Sequence, residues 1–225
     1  MTNQPDQNDV ELVRDSAIRG VQQAQLLFGQ MLLDGKVVER DPAAALHWFE
    51  QAAKSGDPMA MNMVGRCLDQ GWGVARDAVL AAHWFRKAAV RGLDWGMYNL
   101  ATLLSRGEDG VPQDNEQALY WLRRAAGMEH AKSINVLGGF YEDGWIVARD
   151  QQAAVAHYKR AAELGDFRGQ FHYARVLAEA GHLAEAEVWV RKVPETATPA
   201  FLEKAAAFFL RAPLPEVQAF AKLLL

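Results

Sequence analysis

The sequence predicts an all-α fold assembled from repeated two-helix units, and three observations predict it. The stretch Gly71-Trp72-Gly73-Val74-Ala75-Arg76-Asp77 returns as Gly144-Trp145-Ile146-Val147-Ala148-Arg149-Asp150, with looser copies starting at Gly35 and Gly107. Aromatic segments recur at a fixed period: Trp48, Trp84, Trp121 and His157 lie 36, 37 and 36 residues apart. An alanine pair follows each in the same register, at Ala52-Ala53, Ala88-Ala89, Ala125-Ala126 and Ala161-Ala162. A period of this length marks a unit that stacks on copies of itself, because a single unit cannot bury its apolar face.

In chain order, residues 1–8 are polar and acidic and are expected to be a disordered N-terminus. The solenoid is expected over 9–193, opening on a capping helix from Asp9 to Arg19 whose apolar residues are Val10, Leu12, Val13 and Ile18. The first helix of the second unit is expected from Pro58 to Gln70. Its small residues Ala60 and Gly65 have counterparts in every unit (Ala24 and Gly29, Gly96 and Ala101, Ser133 and Gly138, Gly169 and Ala174), which predicts close helix approach. Glycine inside a helix costs about 1 kcal/mol relative to alanine, so its recurrence at one register points to packing. Apolar columns such as Met31, Cys67, Leu103, Phe140 and Val176 face the core at helical spacing. Gly35, Gly71, Gly107 and Gly144 suit left-handed C-terminal caps. Asp41, Asp77, Asp114 and Asp150 suit N-caps of the second helices.

The loops between are therefore punctuation, with Val74 and Val147 expected to tuck between the two helices. Trp72 and Trp145 are expected to fold over the adjacent helix pair; the alternative is an aromatic ridge for a partner. A fifth first helix is expected from Phe167 to Ala180, followed by the short turn Gly181-His182-Leu183 and a second helix over 184–189. Residues 194–225 form a helical cap, with a linker to Pro199, a helix from about Ala200 to Arg211, and a last helix from Pro215 to Leu225. The cap is strongly apolar, as the open end of a stacked core requires. Self-association through it is the competing use.

Composition narrows the function classes. Half of the 225 residues are apolar, the formal net charge is −4, and no basic block stands out. A nucleic-acid or anionic-membrane surface is therefore not expected. No apolar run approaches the roughly 20 residues that cross a bilayer, and the start lacks the basic-then-apolar order of a secretory signal, so the chain reads as cytoplasmic. The one cysteine, Cys67, allows no intrachain disulfide and no cysteine zinc cluster. Of the six histidines, His130, His157, His172 and His182 fall in different registers, and the equivalent pair His47 and His83 sits about one repeat apart, on the order of 10 Å, too far for one metal ion at about 2 Å per ligand. There is no nucleophile elbow and no phosphate-binding loop. No catalytic residue, cofactor or metal is expected.

The second unit, with Ala60, Gly65, Gly71, Val74, Asp77, Ala81, Trp84, Ala88, Ala89 and Gly92, resembles the Sel-one-like repeat, a tetratricopeptide-repeat variant with a longer loop between its helices. The resemblance extends over about residues 17 to 193. The fourth unit departs from it at Glu129, Ser133 and His157, and the fifth is closer to an ordinary tetratricopeptide unit. The resemblance implies a right-handed α-solenoid of four Sel-one-like units plus the fifth unit and helical caps. It also implies an adaptor or scaffold role in bacterial complexes, without chemistry of its own.

On that resemblance a protein or peptide partner is expected along the inner face lined by the first helices. The candidate partner-binding residues are Asn62, Arg66 and Asp69 in unit two, Trp95 and Tyr98 in unit three, Lys132, Asn135 and Glu142 in unit four, and Arg168 and Arg175 in unit five. Asn62 and Asn135 suit hydrogen bonds to a peptide backbone. The cations suit carboxylates, arginine bidentately. Trp95 and Tyr98 suit an apolar anchor. An enzyme or small-ligand binder acting on cell-wall-like polar substrates is the alternative, and homo-oligomerisation through the C-terminal helices is a third reading.

Overall fold

A computed structural model of the chain describes residues 7–107 and 109–225. Among the described residues there are thirteen α-helices and no strand. Packed in consecutive pairs, they form the expected α-solenoid fold. The expectation of a disordered start falls mostly on residues outside this range; Gln7 and Asn8 are already helical. The chain divides into two compact units, 1–121 and 122–225.

In the first unit α1 (Gln7–Ile18) packs on α2 (Gln22–Asp34). The pairs α2 with α3 (Pro42–Lys54) and α4 (Pro58–Gln70) with α5 (Ala78–Val90) are the first two repeats, and α6 (Asp94–Arg106) packs on α5. The unit boundary falls inside α7 (Asn115–Gly127). In the second unit α8 (Ala131–Asp143) pairs with α9 (Gln151–Glu163), and α10 (Phe167–Glu179) packs on both α9 and α11 (Leu183–Val190). The cap follows as a 3-10 turn at Val193–Glu195, α12 (Pro199–Leu210), a short α13 (Pro215–Gln218) and a 3-10 segment Ala219–Leu223. The last helix is thus one α-helical turn continued by a tighter one, not a helix reaching Leu225.

The recurring glycines are packing sites. A Cβ at Gly29, Gly65 or Gly138 would lie 2.7, 2.6 or 2.6 Å from the ring of Phe49, Phe85 or Tyr158. Each of those rings belongs to the second helix of the same repeat and is fully buried. The earlier small position does the complementary job toward the preceding repeat: Gly96 faces Ala88, and Gly169 faces Ala161. The ring filling the core therefore follows the conspicuous tryptophan, whereas Trp48 and Trp84 are half-buried.

The connecting loops carry one hydrogen-bond scheme. Gly71 adopts φ +71° and its N–H donates to the Cys67 carbonyl. Asp77 Oδ1 accepts from Leu80 N at 2.8 Å, and Asp41, Asp114 and Asp150 cap their helices likewise at 2.9, 2.9 and 3.0 Å. The residue before that aspartate closes the other side. Arg40 donates to the Leu33 carbonyl, Arg76 to that of Asp69, and Gln113 to that of Ser105. Val74 corrects an expectation: it is exposed, because Gly73 at φ +72° brings the loop backbone directly against Pro42 and leaves the valine outside. Val111 of the third loop is the buried one. Trp72 and Trp145 each touch the helix before them, and Trp145 stays 42% exposed. Arg66 lies 5.0 Å over the Trp72 ring, and Trp145 meets Phe140 edge to face at 4.9 Å.

Candidate functional site

The candidate residues divide between the two units. In the first unit, α4 and α6 are adjacent first helices tied by a hydrogen bond from Asn99 Nδ2 to Asn62 Oδ1 at 2.8 Å. Asn62 is 3% exposed and its carbonyl oxygen is occupied by Asn99, so it stiffens the face rather than presenting a free amide. Arg66 is half-buried between Trp72 and the Met63 sulfur. Asp69 is half-buried, and its main-chain carbonyl accepts from Arg76. Trp95 and Tyr98 stand edge to face at 6.2 Å, with Trp95 38% exposed. Met59, at the register of Trp95 one repeat earlier, is 37% exposed.

In the second unit the charges pair with one another. Arg175 holds both Glu142 oxygens at 2.5 and 2.7 Å and reaches Glu179 at 3.0 Å. Tyr158 donates to Glu142 at 2.7 Å, and the His172 ring stacks on Tyr158 at 4.9 Å. Burial by itself would raise the Glu142 pKa. The hydrogen bonds from Arg175 and Tyr158 outweigh it and hold the carboxyl below its ordinary range. Burial, aided by the Arg175 charge, lowers His172 to about 4, so its imidazole is neutral at pH 7. Glu142 and Arg175 thus join α8 to α10 as an internal clamp. Asn135 is 7% exposed, and its Oδ1 is buried without a hydrogen bond. Lys132 is half-buried, and Arg168 is exposed over the Phe167 ring at 4.7 Å.

Sequence reasoning missed Asn99, Tyr158 and His172. Asn99 lies one residue past the register of Asn62, so an alignment of equivalent columns does not pair them. Adjacent helices meet at offset positions, which only packing reveals.

No group of three His, Cys, Asp or Glu able to hold a metal ion occurs among the described residues. Burial pushes the Cys67 thiol up to about 11, with the Arg66 charge offsetting only part of this, so the thiol is an inert core group. His130 caps α8: its Nδ1 accepts from Ser133 N. No helix of the described residues is long and apolar enough to cross a membrane.

Four segments, 22–57, 58–93, 96–130 and 131–166, match the family model of the Sel1 repeat. Among solved structures the chain is similar to a protective antigen of uropathogenic Escherichia coli with an SLR fold (27% identity, TM-score 0.71), covering 96% of this chain and 48% of that one. It therefore spans about half the length of that antigen. It is also similar to a Sel1 repeat protein of Oxalobacter formigenes (24% identity, TM-score 0.76, 95% and 96% covered). An immunity protein of Pseudomonas aeruginosa shares the fold at 17% identity and TM-score 0.61, with 90% and 77% covered. Sel1 repeats generally form protein–protein interaction scaffolds, and their proteins are typically non-catalytic. With its four matched repeats making up more than half of its length, the chain belongs to the Sel1 repeat family.

Proposed function

We propose that this chain is a non-catalytic adaptor that binds a protein or peptide partner on the first-helix face of α4 and α6. One observation carries the reading. Met59 and Trp95, at equivalent positions of two touching helices, each leave more than a third of their surface exposed, with Tyr98 set edge-on to Trp95. Large aromatic side chains on such a face are the usual anchors of protein interfaces, and a flexible methionine adapts beside them. The Asn62–Asn99 bond holds the two helices in register, so little ordering is needed on binding. Arg66, half-buried on α4, suits an acidic group of the partner. In the second unit, Lys132 and Arg168 remain candidates for a partner's carboxylates. Glu142 and Arg175 are engaged with each other.

The test is affinity capture of partners from cells expressing the protein, with three baits: wild type, Trp95→Ala/Tyr98→Ala, and Val90→Ser on the exposed side of α5. The partner bound by wild type should be retained by Val90→Ser and lost from the double variant, with all three baits melting alike. Equal retention by the double variant would overturn the assignment to α4 and α6.

A further inference from the structure

We propose that the second unit carries a ligand site for a small amphipathic carboxylate, in the cleft between the end of α10 and the C-terminal cap. The cleft measures about 600 Å³, within the range of roughly 300–1,000 Å³ that holds small ligands. One wall is α10, at Ala178 and Glu179; the other is α12 and the turn after it, at Phe208, Phe209 and Leu214. Nothing in the lining offers a neutral side-chain hydrogen-bonding group. An extended peptide, which needs such groups along its backbone, is poorly served. A compact apolar body is well served.

The charges at the cleft select the ligand's head. Arg175 lines the cleft but is tied to two carboxylates, Glu142 and Glu179, so that wall is net negative and directs an anionic head to the opposite side. Arg211 also lines it and forms no ion pair among the described residues. A guanidinium without a counter-ion at the edge of an apolar cleft matches a carboxylate bidentately. The turn that presents it is fixed: Ala212 N donates to the Phe209 carbonyl at 3.0 Å, and Gln218 Nε2 donates to the Ala212 carbonyl at 2.8 Å. The site is therefore pre-formed, and a ligand need not order it. Phe208 and Leu214 stand half exposed at the mouth, where an aliphatic chain would cover them.

Decanoate and decanol serve as probes, titrated into the full chain by calorimetry and followed by amide NMR. Decanoate should bind saturably at one site, with shifts confined to the end of α10 and to α12–α13. Decanol, which lacks the carboxylate, should bind about tenfold more weakly. Arg211→Gln should weaken decanoate about tenfold and leave decanol unchanged. Leu214→Glu should abolish both, with the melting temperatures of both variants near wild type. Equal binding of the two probes, indifference of decanoate to Arg211→Gln, or no saturable binding up to roughly 1 mM would overturn the proposal. Concentration-dependent dimers that bury Phe208 and exclude decanoate would also overturn it, in favour of a second copy of the chain as the occupant.

Discussion

Gly65 sits in the middle of α4, where alanine would ordinarily stabilise a helix by about 1 kcal/mol. Packing reverses that sign. The added methyl would lie 2.6 Å from the Phe85 ring, which is fully buried and has nowhere to move. Gly65→Ala is therefore expected to destabilise by about 1–3 kcal/mol. Gly127, the last residue of α7, makes the contrast: a methyl group added there would meet nothing within 4 Å. At that position alanine should stabilise by up to about 1 kcal/mol. Urea unfolding followed by circular dichroism reads both, and a stabilised Gly65→Ala would refute the ring-seat account. The same contact explains why the residues after Trp48, Trp84 and His157 fill the core: Phe49, Phe85 and Tyr158 occupy the space that glycine leaves.

A helix–loop–helix element is closed by residues that each satisfy a particular backbone group. The glycine turns left-handed, the arginine or glutamine caps carbonyls of the first helix, and the aspartate caps N–H groups of the second. Three described residues break the glycine rule, and Asp109 at φ +56° in the third loop is one of them. Ile146 takes φ +69°, where Gly73 stands in the second unit, and Glu129 takes φ +62°, where Gly56, Gly92 and Gly165 stand elsewhere. A side chain in the left-handed region costs roughly 1–2 kcal/mol. Glu129 also pairs with Arg160, but both side chains are largely exposed, and such a pair contributes about 0–1 kcal/mol. The backbone effect is the larger, so Glu129→Gly should stabilise the protein by up to about 1 kcal/mol. A raised midpoint in chemical denaturation is the expected result; a lowered one would show that the ion pair outweighs the strain.

Acid stability depends on the clamp in the second unit, taken with its surroundings. His172 ordinarily titrates at 6.5 and is lowered to about 4 in the fold, so the unfolded chain takes up the proton first as pH falls. Stability should therefore be complete above about pH 6.5 and decline toward pH 4, by on the order of 3 kcal/mol. Glu142, held below its ordinary 4.5, contributes stability above that value and loses it as pH falls further. Asp166, raised chiefly by burial, opposes this only at the acid end. His172→Phe keeps a ring against Tyr158 without a titrating group. Its unfolding midpoint should change little between pH 7 and 5, where that of wild type falls. A wild-type midpoint that stays flat over this interval would contradict a neutral, buried His172.

Much of this was legible in the chain itself. The period of 36 or 37 residues, the Asp caps and the Gly stops placed α4 from Pro58 to Gln70, because capping and helical periodicity are local properties of a few neighbouring residues. The face carrying the candidate site was legible as a face, but the state of each residue on it was not. Asn62 and Asn135 look like available amides in sequence, yet both are buried. Arg175 and Glu142 look like two partner contacts, yet they bind each other across 33 positions. The sequence alone determined the repeat, its register and the residues that begin and end each helix. Only the tertiary structure decided which polar groups are already satisfied and which, like Arg211, form no ion pair among the described residues, because that depends on the offset at which neighbouring helices pack and no single repeat encodes it.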